Sequence, residues 1–93
     1  MRDISDIIIY SKDNCGYCVK AKSMLEKLGL DYREKKLESF DSIDELKKDI
    51  GSSVRSLPQI KINGELVGGY NQLVEYLTDK GLVNFKGKVL NEQ

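Results

Sequence analysis

Two cysteines stand three positions apart in Cys15-Gly16-Tyr17-Cys18, and they are the only two in the chain. Paired thiols at this spacing support two chemistries. One is thiol–disulfide exchange, in which one thiolate attacks and the other resolves the mixed disulfide. The other is metal ligation. A closed zinc site generally uses four ligands, and a sequence without histidine leaves only carboxylates to complete one. An idle structural bridge would contribute little, because the loop it closes is very short. The missing histidine also removes Ser-His-Asp and Cys-His catalysis.

The elements around the pair decide how each thiol behaves. Ile7 to Tyr10 is an apolar run that suits a buried strand. From Cys15 the period changes: Cys18, Ala21, Leu25 and Leu28 recur at helical spacing, lysines 20, 22 and 27 fall on the other side, and Gly29 is placed to cap the end. The leading thiol therefore sits at a helix N-terminus, where free N–H groups and the positive end of the dipole favour its thiolate. The second lies on the apolar stripe and is less exposed. Tyr32 to Leu37 reads as a second strand, completing a β-α-β unit with parallel strands.

Ser42 and Glu45 form a capping-box pattern, followed by a helical face of Ile43, Leu46 and Ile50 that Gly51 stops. Pro58 to Ile62 and Glu65 to Val67 flank Asn63-Gly64, a strong hairpin signal. After Gly68-Gly69, the residues Tyr70, Leu73, Val74 and Leu77 mark a third helix ending near Gly81. Residues 82–93 show no clear period. The expectation is a single α/β domain over residues 1–93, β-α-β then β-β-α, with a small mixed four-stranded sheet flanked by helices.

Fifteen basic and fifteen acidic residues cancel in this 93-residue chain, which is 40% hydrophobic and 32% charged. Such a composition is that of an ordinary globular protein. It lacks the basic stripe of a nucleic-acid binder, so nucleic acid is not an expected partner. Ile7-Ile8-Ile9 is too short for a signal-peptide core or a membrane span, which makes a cytoplasmic location without membrane attachment the expectation. In that compartment a Cys-x-x-Cys pair reads as redox-active or metal-binding. A chain of this length has little room for a large internal cavity, so its site should be a surface groove.

Three segments together resemble the glutaredoxins of the thioredoxin-like superfamily. Ser11-Lys12-Asp13-Asn14-Cys15-Gly16-Tyr17-Cys18 resembles their active-site stretch, Arg55-Ser56-Leu57-Pro58-Gln59-Ile60 the segment that usually reads Thr-Val-Pro, and Gly68-Gly69-Tyr70-Asn71-Gln72-Leu73 their Gly-Gly motif. The motifs fall in the family's order, and the likeness runs from about Ile7 to Leu77. Thioredoxins, similar in fold, typically carry Trp-Cys-Gly-Pro-Cys, and this chain has no tryptophan.

The resemblance implies a glutathione-dependent dithiol–disulfide oxidoreductase, with Cys15 as nucleophile and Cys18 as resolving thiol. It implies a thioredoxin-like fold and a cis bond before Pro58, leaving the backbone of Leu57 to pair with the cysteine of glutathione. Lys12 would stabilise the thiolate and meet a glutathione carboxylate, Tyr17 would wall the groove, and Arg55 would reach the glycyl carboxylate. Gly69, Tyr70 and Asn71, opening the third helix, would receive the γ-glutamyl carboxylate on free N–H groups. The implied partners are glutathione and disulfide-containing or glutathionylated proteins, ribonucleotide reductase being a family example, and the implied state is a monomer.

Two departures stand out. Asn71 and Gln72 occupy positions where many glutaredoxins have aspartates facing the γ-glutamyl ammonium, so glutathione should be held less tightly at its amino end. Gly16 replaces a common proline, and in the family a non-proline residue there sometimes accompanies a shared 2Fe–2S cluster ligated through Cys15; otherwise no metal is expected. A cluster-carrying dimer, and a thioredoxin-type reductant recharged by a flavoprotein reductase, are the alternative readings.

Overall fold

The computed structural model describes residues 4–51, 56–81 and 83. Strand β1, Ile7–Ser11, is followed by helix α1, Gly16–Lys27, and strand β2, Arg33–Lys36. Helix α2 is Ile43–Ile50, strands β3 and β4 are Gln59–Ile62 and Glu65–Gly68, and helix α3 is Tyr70–Asp79. The four strands form one mixed sheet in the order β2-β1-β3-β4. β1 runs parallel to β2 and antiparallel to β3, and β3 pairs antiparallel with β4. The element order and mixed four-stranded sheet are those expected from the residue pattern, and the architecture is the thioredoxin-like one that the family resemblance implies.

Alternation along β1 divides the interior. Ile7 and Ile9 face a core built with Ala21, Met24 and Leu25 of α1 and Leu73 and Leu77 of α3. Tyr10 points the other way, to Leu46 and Ile50 of α2. Period-two geometry thus places α1 and α3 on one face of the sheet and α2 on the other. Each fully buried aliphatic side chain contributes about 1.5–3 kcal/mol through removal from water.

The expected second strand, Tyr32 to Leu37, is shorter by one residue at each end. Its observed sequence, Arg-Glu-Lys-Lys, is entirely charged, as suits an exposed sheet edge that must resist further pairing. Tyr32 precedes the strand, and its hydroxyl donates to Glu26 at 2.8 Å. Leu37 turns into a short 3-10 segment and packs against the Tyr10 cluster under α2. The other strands shift by single residues: β1 extends to Ser11, β3 starts at Gln59, and β4 reaches Gly68.

Local signals place the remaining ends. Ser42 Oγ accepts the Glu45 N–H at 3.2 Å and opens α2, which closes at left-handed Gly51. Asn63 and Gly64 both take positive φ, the geometry of a type I′ turn. Ile43, expected on the buried face of α2, is instead 56% exposed. Val83 is buried in the α1–α3 core, and the rest of the 82–93 tail lies outside the described residues.

Candidate functional site

Cys15 is the N-cap of α1. Its backbone is extended (φ −121°, ψ 104°), and Sγ accepts the N–H of Cys18 at 3.2 Å, so the sulfur occupies the place a capping oxygen would take. Asn14, before it, has φ 57°, a left-handed turn that asparagine tolerates better than most residues. The two cysteines are joined as a disulfide with Cα atoms 5.2 Å apart, so the site is in its oxidised form. Cys18 is 1% exposed, while Cys15 is only partly buried. An incoming nucleophile therefore reaches Cys15 first. In the dithiol state the N-terminus of α1 favours the Cys15 thiolate.

The segment entering β3 lies against this sulfur. The Leu57–Pro58 peptide is cis, as the family resemblance implies, and the carbonyl oxygen of Leu57 is 3.6 Å from Cys15 Sγ. A groove of about 330 Å³ opens beside it. Tyr17 from α1 forms one wall; Ser56, Leu57 and Pro58 form the floor; Gly69, Tyr70, Asn71 and Gln72 at the start of α3 close the far end. The rings of Tyr17 and Tyr70 are 5.7 Å apart, and Lys20 Nζ lies 5.2 Å from the Tyr17 ring centre.

The Gly-Gly pair shapes this end of the groove. Gly68 has φ +124°, and a Cβ there would come within 2.9 Å of the Gln72 side chain. A Cβ on Gly69 would meet the Pro58 carbonyl at 3.4 Å. Gln72 Oε1 accepts the Gly69 N–H at 3.0 Å, one half of a capping box. Sequence reasoning missed this contact: Gln72, itself exposed, commits its carbonyl to the helix start, while the neighbouring exposed Asn71 also lines the groove.

Six of the residues picked from the sequence, Tyr17, Leu57, Pro58, Gly69, Tyr70 and Asn71, thus line one groove. Lys12 lies elsewhere, in the depression around Cys15 that Asp13, Val19, Lys22 and Lys36 also line. Arg55 lies outside the described residues. Two of the lysines near the dithiol are engaged: Lys36 pairs with Asp13 at 3.0 Å and Lys22 with Glu34 at 2.9 Å. Ser11 Oγ also donates to Glu34 at 2.6 Å, and these two hydrogen bonds hold the Glu34 carboxyl below its usual range. Lys12 forms no ion pair among the described residues. Among the described residues, no three Cys, Asp or Glu side chains converge to hold a metal ion.

Sequence reasoning also missed the Tyr10–Asp49 contact behind the site. The Tyr10 hydroxyl donates to Asp49 Oδ2 at 2.7 Å, and Lys35 Nζ reaches the same oxygen at 2.9 Å. Tyr10 reads as core and Asp49 as a solvated helix residue; only the packing of α2 on β1 joins them.

Comparison with known proteins agrees with this geometry. The glutaredoxin family model matches residues 7–67. Glutaredoxin 1 of Rickettsia typhi is 37% identical over 70 residues, covering 72% of this chain and 65% of the relative. The Haemophilus influenzae glutaredoxin is 33% identical over 69 residues, covering 68% and 79%. Among solved structures, glutaredoxin 1 from Francisella tularensis superposes with a TM-score of 0.68 at 26% identity, covering 83% of this chain and 95% of that one. A buckwheat glutaredoxin–glutathione complex superposes with a TM-score of 0.64 at 28% identity, covering 81% and 69%. The Cys-x-x-Cys pair at the head of α1, the cis-proline segment against the sulfur and the family match over residues 7–67 lead to one conclusion: this chain belongs to the glutaredoxin family, is of its dithiol type, and is a thiol–disulfide oxidoreductase.

Proposed function

We propose that the protein reduces protein disulfides and glutathionylated thiols with glutathione as electron donor. The observation that carries this reading is the groove beside Cys15, with the Leu57 carbonyl 3.6 Å from Sγ and the Tyr17 and Tyr70 rings across it. A peptide cysteine joined to Cys15 fits there by pairing its N–H with the Leu57 carbonyl, while a carboxylate meets the free N–H groups that open α3. The buckwheat relative solved with glutathione supports the same ligand here.

In the reaction, the Cys15 thiolate attacks one sulfur of the substrate disulfide. An S–S bond to Cys15 forms, the substrate bond breaks, and the released thiolate takes a proton. Cys18 then attacks Cys15 Sγ, freeing the second substrate thiol and leaving the Cys15–Cys18 disulfide seen here. Two glutathione molecules return the pair to dithiol and leave as glutathione disulfide. With a glutathionylated substrate, Cys15 takes the glutathione and a second glutathione resolves it, so Cys18 is dispensable. Family potentials of about −200 to −230 mV place such a dithiol within reach of the glutathione pool.

The test is the glutathione-coupled assay on two variants. Cys15→Ser should abolish all turnover; Cys18→Ser should retain deglutathionylation and lose reduction of protein disulfides. Equal loss from both variants would refute this division of roles.

A further inference from the structure

A second depression, of about 150 Å³, opens on the α2 side of Leu57. Leu37, Ile43 and Leu46 give it an apolar lining, Lys12 and Lys47 stand at it, and Ser56 and Leu57 are shared with the groove already described. We propose that this depression docks the protein substrate, taking from the polypeptide beside the substrate cysteine a bulky aliphatic or aromatic side chain next to a carboxylate. The proposal rests on the reading of Cys15 as the attacking thiol.

Three observations define the occupant. The first is continuity: Leu57 lines both depressions, and its carbonyl lies 3.6 Å from Cys15 Sγ, so whatever fills this one sits beside the mixed disulfide. The second is apolar surface. Ile43 is 56% exposed although it shares a helical face with buried Leu46 and Ile50, and an apolar cavity near 150 Å³ is of the order that accepts a benzene ring. Glutathione presents only a glycine beyond its cysteine and has no side chain to cover this lining; a protein does. The third is charge. Lys12 and Lys47 form no ion pair among the described residues, and no carboxylate lines the depression, although the chain as a whole is neutral. Unpaired cations beside an apolar patch complement an acidic neighbour and steer its approach.

The experiment uses pre-reduced full-length protein and no glutathione, so that the donor does not enter. Single-turnover rates are measured on peptide disulfides whose cysteine is flanked by Leu and Glu, by Leu and Lys, or by Ser and Glu, with the pair on either side. 2-Hydroxyethyl disulfide serves as the small substrate. The Leu–Glu peptide should react about fivefold or more faster than the other two. Lys47→Glu should invert the order of the Leu–Glu and Leu–Lys peptides, and Ile43→Ser should remove the preference for Leu over Ser. Both variants should keep the rate on 2-hydroxyethyl disulfide within about twofold, since neither residue touches the thiols.

Equal wild-type rates on all three peptides would overturn the proposal. So would variants that slow the small disulfide as much as the peptides, or a Lys47→Glu variant that leaves the peptide order intact. Failure of glutathione to re-reduce the oxidised protein would count against the donor alone, and the peptide rates would still decide this proposal.

Discussion

Leu57 presents its carbonyl oxygen to Cys15 Sγ at 3.6 Å although the two residues are 42 positions apart. The contact joins the head of α1 to the segment entering β3, so chemistry at the sulfur takes place against a main-chain acceptor held by the sheet. Cys18, one helical turn on, is packed into the interior.

This difference between the thiols predicts their reactivity. Reduced protein treated with limiting iodoacetamide should be labelled at Cys15, with Cys18 reacting at least about tenfold more slowly, because access and the helix N-terminus both favour the first thiol. Peptide mapping by mass spectrometry checks it; equal labelling would contradict the assignment of nucleophile.

Gly68 should not tolerate a side chain. Its φ of +124° and the 2.9 Å approach to Gln72 predict a loss of about 1–3 kcal/mol in Gly68→Ala, measured by denaturant unfolding. Gln72→Ala removes the acceptor for the Gly69 N–H and should cost about 0.5–2 kcal/mol. In the double variant the contact with Gln72 Cγ is removed, but the equally close contact with the β-carbon and the backbone strain remain, so most of the Gly68→Ala loss should persist.

Asn71 lines the groove at a position where, by the family resemblance, many glutaredoxins carry an aspartate, and under the proposed function it would face the γ-glutamyl ammonium of glutathione. Asn71→Asp adds an exposed ion pair, worth about 0.2–1 kcal/mol, and should lower the apparent KM for glutathione by about 1.5- to 5-fold. The gain should shrink with added salt and vanish with a glutathione analogue lacking the amino group. An unchanged KM would remove the ammonium from that end of the groove.

Stability should fall at both ends of the pH scale. The hydrogen bonds from Lys35 and Tyr10 hold Asp49 below its ordinary value, and those from Ser11 and Lys22 do the same for Glu34. A carboxyl depressed by folding stabilises the native state above its unfolded value. That contribution is lost as pH falls below about 4 and through the folded values. Burial, with Asp49 beside it, raises the Tyr10 hydroxyl well above its ordinary range. The unfolded chain therefore releases that proton first, and stability declines as pH rises above about 10. Melting temperature against pH should show a plateau between these limits, and Asp49→Asn should flatten the acid side.

The strand and helix types, the hairpin and the helix starts were readable from residue order because their causes are local. Apolar period distinguishes Ile7 to Tyr10 from the stripe of Cys18, Ala21 and Leu25; Ser42 and Glu45 cap within one turn; Asn63-Gly64 takes a turn few other pairs accept. The ends of β2 were misjudged because pairing with β1, which stops at Lys36, fixes them rather than any property of Tyr32 or Leu37. The site divides in the same way. Cys15 and Cys18 reveal a dithiol pair by spacing, and Pro58 and Gly69 are found by family likeness. The Tyr10–Asp49 bond and the exposure of Ile43 were not readable, since both depend on which face of the sheet a helix covers, whereas the capping role of Gln72 is local, three positions from Gly69, and lies within reach of a capping-box reading of that turn. Period and composition carry no record of partners dozens of residues away, so the arrangement of Leu57, Tyr17 and Tyr70 around one sulfur arises only when β3 docks beside β1 and brings α3 to α1.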